Sequence, residues 1–61
     1  MFSISFDTDN AAFGDGDPIV MSSEIARILH EIAEDVSHGQ TGGKVYDVNG
    51  NRIGSFRLED R

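Results

Sequence analysis

Two histidines, His30 and His38, are the side chains best suited to move protons near neutral pH, and each has a carboxylate at helical spacing. His30 and Glu34 are four apart; Asp35 and His38 are three apart. On a helix either pair has the geometry for acid–base work. No nucleophile lies beside them, and residues eight apart stand about 80° from one another around a helix, so the two sites do not converge. They read as surface histidines. No phosphate-binding loop, dinucleotide fingerprint or nucleophile elbow is present, and Gly42-Gly43-Lys44 reads as a linker.

The oxygen-rich segments come next. Asp7-Thr8-Asp9-Asn10 with Asp15-Gly16-Asp17 has the residue types that ligate calcium. Counted from Asp7, however, an EF-hand loop needs an oxygen ligand at its fifth position and Glu at its twelfth, where this chain has Ala11 and Pro18. Asp47-Val48-Asn49-Gly50-Asn51 departs from the template in the same way, and a hairpin turn accounts for it fully. With no Cys there is no thiolate nucleophile, disulfide framework or Cys-based zinc site. The expectation is a chain with no catalytic residue, no metal and no cofactor.

Charge is unevenly placed. The 61 residues carry a net charge of −6. Residues 1–43 hold eight acids against one base, Arg27; residues 44–61 hold Lys44, Arg52, Arg57 and Arg61 against three acids. The net charge opposes phosphate backbones, so direct nucleic-acid binding by the basic end is not expected. Glu31, Glu34 and Asp35 fall where a helix macrodipole prefers cations, and Glu31 and Asp35 are a like-charge i,i+4 pair. A solvated, solubilising face explains such residues; so does the display of carboxylates to a basic partner, because spaced carboxylates can occupy Arg and Lys that otherwise hold phosphates.

These residues need elements to position them. Phe2, Ile4 and Phe6 alternate with Ser3 and Ser5, the period of a half-buried strand over 2–6. Residues 7–21 read as a long loop with turn formers Asn10, Gly14, Gly16 and Pro18, anchored by Phe13 in the core. Ile25, Ile28, Leu29, Ile32 and Val36 form one stripe of a helix over 22–38, with Ser22 as N-cap, Glu24 in the first turn and Gly39 as the left-handed stop. Residues 44–58 read as a hairpin around Asn49-Gly50-Asn51. In a two-residue hairpin, Tyr46, Val48 and Ile53 share one face and Val45, Phe56 and Leu58 the other, unless Gly54 marks a bulge that restores a single face. The fold class is α+β: a single β-α-β-β domain over 1–61, a three-stranded antiparallel or mixed sheet with one amphipathic helix on one face. No run approaches the ~18 apolar residues of a membrane helix, and MFSISFD lacks the cationic start of a secretory signal, so the expected location is the cytoplasm.

The runs TDNAAF (Thr8–Phe13), EIARIL (Glu24–Leu29) and DVNGNRIG (Asp47–Gly54) resemble those of a group of small proteins of bacteria, phages and prophages. The resemblance spans most of the chain and carries no catalytic assignment. It implies an accessory protein of a mobile element acting in a bacterial host cell; by analogy of size, charge and source, small acidic proteins of that kind include anti-CRISPR inhibitors.

The expectation is therefore a non-enzymatic acidic interaction module that inhibits or modulates a host protein by occupying a basic, nucleic-acid-binding surface. Its contact residues would be Asp15, Asp17, Glu31, Glu34 and Asp35. The alternative is a structural or regulatory homodimer pairing through the apolar side of the hairpin, with Tyr46, Val48 and Ile53 as contacts.

Overall fold

A computed structural model describes residues 1–14 and 16–59. Strand β1 spans Phe2–Phe6, helix α1 spans Pro18–Ser37, and strands β2 and β3 span Gly42–Tyr46 and Arg52–Leu58. The sheet is wholly antiparallel, in the order β1-β3-β2, so the last strand in sequence is central and the other two are edges. α1 packs over β2 and over a 3₁₀ turn at Ala11–Phe13. This is the α+β arrangement the hydrophobic pattern predicts.

The described residues between 7 and 21 hold more regular structure than a loop reading allows. Asn10 caps the 3₁₀ turn by accepting the Ala12 N–H, and that turn drives Phe13 into the centre of the core at 1% exposure. The helix begins at Pro18, one turn before the expected Ser22. The Asp17 carboxylate accepts the N–H groups of Ile19 and Val20, and Pro18 occupies the first helical position, where a missing N–H costs nothing. The early start brings Met21 against the core, and Glu24, expected in the first turn, falls in the second and is buried. The helix stops where Gly39 adopts φ +93°, as its sequence predicts.

The core is Phe13, Ile28, Ile32, Val45 and Phe56, flanked by Ile4, Phe6, Ala12, Met21, Ile25 and Ile53. β2 begins at Gly42 rather than Lys44, so the two glycines belong to the sheet and not to a linker. The pairing of β2 with β3 carries a bulge: Val45 faces Gly54 and Tyr46 faces Arg52, leaving Ile53 as the extra residue. The bulge restores one buried face. Ile53 therefore packs with Val45 and Phe56, while Tyr46 and Val48 stay exposed; the expected shared face of Tyr46, Val48 and Ile53 does not form.

Gly54 sits at the crossing of all three strands, opposite Phe6 on one side and Val45 on the other. A Cβ there would lie 2.6 Å from the Phe6 Cα and against the Ser5 carbonyl oxygen. Only glycine lets β1 approach β3 this closely.

Candidate functional site

The polar residues with chemical potential are held by the fold. Asp47, 4% exposed, receives four hydrogen bonds: Oδ1 accepts the backbone N–H groups of Asn49 and Asn51 at 2.9 Å, and Oδ2 accepts from the side-chain amides of Asn10 at 2.8 Å and Asn51 at 3.3 Å. The hairpin loop thus folds around this carboxylate, and Asn10 ties it to the 3₁₀ turn. The Asn51 N–H leads in holding the Asp47 carboxyl below its ordinary acidity range, against the opposing effect of burial.

Glu24 organises the other side of the loop. Arg27 donates to both its oxygens, from Nε at 2.9 Å and from Nη2 at 2.8 Å, and the Val48 N–H donates to Oε2 at 3.0 Å. Arg27 also reaches Glu31 at 2.6 Å and the Tyr46 carbonyl at 3.4 Å. The fork on Arg27 is the main reason the Glu24 carboxyl is more acidic than usual, although burial pushes it the other way. Among the described residues, no buried side-chain nitrogen or oxygen lacks a partner. Residues far apart in sequence (Asn10, Glu24, Arg27, Asp47 and Asn51) therefore meet in one region and act as a structural clasp.

Comparison with known proteins returns no match among family models, curated proteins or solved structures.

The expected contact carboxylates divide into two groups. Glu31, Glu34 and Asp35 gather on the last two turns of α1, all exposed; the Glu31 and Glu34 side chains are 64% and 73% accessible. Asp17 caps the opposite end, about 27 Å away at 1.5 Å per residue. Asp15 lies outside the described residues. The histidines do not converge on a reactive centre. The His38 ring Nδ1 is 2.8 Å from the Glu34 carbonyl oxygen and 3.8 Å from its carboxylate, so its partner is Glu34 and not Asp35. His30 lines a shallow surface dip with Ala26, Leu29 and Ala33. Among the described residues no group of three or more His, Cys, Asp or Glu is disposed to hold a metal ion, and no helix is long and apolar enough to cross a membrane.

The hairpin exposes Tyr46 and Val48, and a second apolar surface lies beside β1. A groove of about 350 Å³ runs between β1 and the C-terminal half of α1, lined by Phe2, Ile4, Leu29, Ile32, Ala33 and Val36. Phe2 and Leu29 are each 43% exposed and Val36 is 38% exposed. The helical period foretells the Leu29 and Val36 positions; only the strand order, which makes β1 an edge, reveals that they stay uncovered. A polar hollow between Asp7, Asp9 and Arg52 completes the surface relief.

Proposed function

We propose that this protein is a non-enzymatic interaction module that inhibits or modulates a host protein by presenting the carboxylates of Glu31, Glu34 and Asp35 to a basic, nucleic-acid-binding surface, in the manner of anti-CRISPR-type inhibitors. The observation that carries this reading is their placement. Three exposed acids gather over the last two turns of α1, with Glu34 and Asp35 in the final turn, where the macrodipole disfavours them; the nearby cation Arg27 is shared between Glu24 and Glu31 and engages neither Glu34 nor Asp35. Such a cluster suits Arg and Lys side chains, which pair with carboxylates as they do with phosphates. The clasp accords with the same reading, because Asn10, Glu24, Arg27, Asp47 and Asn51 are engaged in building the hairpin loop.

The test is affinity capture from bacterial host lysate by the wild type and by the triple variant Glu31→Lys, Glu34→Lys, Asp35→Lys, at low and high salt, with circular dichroism confirming that both are folded. The expected result is a captured protein that binds nucleic acid, is released by salt, and is absent with the variant. Equal capture by the folded variant overturns the reading.

A further inference from the structure

The edge strand β1 presents a self-complementary docking surface, and we infer that its occupant is a second copy of this chain, joined antiparallel about a two-fold axis at Ile4. The backbone pattern comes first. Met1 and Glu59 exchange both backbone hydrogen bonds, and the Asp7 N–H donates to the Ile53 carbonyl. In an antiparallel ladder the bonding residues alternate, so Ser3 and Ser5 also face β3. The N–H and C=O groups of Phe2, Ile4 and Phe6 consequently point to the open edge.

A two-fold axis at Ile4 sets Ile4 against Ile4 and Phe2 against Phe6 of the other copy. All three open residues then pair twice, giving six backbone hydrogen bonds, and the two sheets join into one of six strands. The side chains agree with that register. Phe2, Ile4 and Phe6 lie on the helix-bearing face, so each Phe2 stands beside the other copy's Phe6, and the two grooves along β1 open onto one another.

The two edges of the sheet are treated differently. On β2 the outward backbone groups belong to Gly42, Lys44 and Tyr46; the Tyr46 carbonyl already accepts from Arg27, and a lysine on an edge discourages pairing. Phe2–Phe6 has no charge, proline or bulge, in a chain of net charge −6. Pairing there opposes neutral strands, whereas pairing through the acidic flank of α1 would oppose like charges.

Surface area supplies an independent argument. The chain exposes 4320 Å², against about 3,900 Å² expected of a monomer of its mass. Its radius of gyration is 12.1 Å, against about 10.5 Å for a compact chain of this length. Phe2 and Leu58, cross-strand neighbours, continue the uncovered apolar surface beside Leu29 and Val36. A small chain with five buried apolar side chains gains most from covering that surface.

The test is sedimentation equilibrium of the full chain from micromolar to sub-millimolar concentration, combined with amide hydrogen exchange. Ile4→Pro removes an N–H that points away from β3, which an edge strand tolerates; Phe2→Lys places a charge at the two-fold interface. We expect the wild type to approach the mass of two chains, with the Phe2, Ile4 and Phe6 amides protected as well as those of Ser3 and Ser5. Both variants should sediment as single chains with the wild-type circular dichroism spectrum. A single-chain wild type at every concentration, rapid exchange of those three amides, or a folded variant that still dimerises would overturn the inference. Should Ile4→Pro fail to fold, Phe2→Lys and the wild-type exchange pattern decide the matter.

Discussion

Asp47 and Glu24 show how two carboxylates in a chain rich in them acquire different work from their neighbours. Both are more acidic folded than free, chiefly through the Asn51 N–H for Asp47 and through Arg27 for Glu24. The unfolded chain therefore binds more protons than the folded one in the acid range. Their stabilisation is fully present above about pH 4.5, the ordinary value for Glu, and is lost as the pH falls through their lower folded values. Urea unfolding at pH 7 and pH 3 should show a lower midpoint in acid. Glu24→Gln and Asp47→Asn should each be less stable at pH 7 and lose less on acidification. In Asp47→Asn a carbonyl oxygen and an amide nitrogen replace two acceptors that each take two hydrogen bonds, so two of the four present donors meet another donor. Asp47 is legible in the sequence as a turn residue, because Asn-Gly follows it closely. Its link to Asn10, 37 positions away, is not legible, because no local pattern encodes it.

The elements were readable where one period persists and unreadable where tertiary contacts choose among local alternatives. The β1 alternation and the stripe from Ile25 to Val36 each lie along a single apolar face, and both appear as expected, with Phe2, Leu29 and Val36 at its uncovered margin. The helix start follows instead from Asp17 and Pro18, whose cap-and-proline signal was outweighed by the surrounding turn formers. Parity alone does not place the hairpin's apolar residues, but a bulge beside Gly54 restores a single face, as that glycine allows; the extra residue is Ile53. Gly54, next to the bulge, is the sheet's most sensitive position. Gly54→Ala must move β1 away from β3 or displace Phe6, so a loss of about 1–3 kcal/mol is expected, the range of overpacked sites. Thermal unfolding of Gly54→Ala should show this, and the amides of Ser3 and Ser5, which serve the β1–β3 ladder, should exchange faster than those of α1.

At the scale of the whole molecule, the acids of α1 set stability against binding. Glu34 and Asp35 sit at the negative end of the macrodipole, and Asp35 follows Glu31 by one turn, in a chain of net charge −6. If these side chains are there to meet a basic partner, the free protein bears a cost that the complex relieves. Glu34→Lys with Asp35→Lys reverses both unfavourable terms and leaves the Arg27–Glu31 pair intact. Each change is expected to stabilise the fold by about 0.3–1 kcal/mol at low salt. For a domain of this size a combined gain near 1 kcal/mol corresponds to a melting temperature about 4–8 °C higher. The gain should shrink as salt screens the charges. Scanning calorimetry across ionic strength checks it, and the same variant should bind the partner less tightly. A variant more stable yet weaker in binding would locate the function on this flank. A gain in stability with unchanged binding would mark the acids as a solubilising face, leaving the uncharged edge of β1 as the surface through which the molecule meets others.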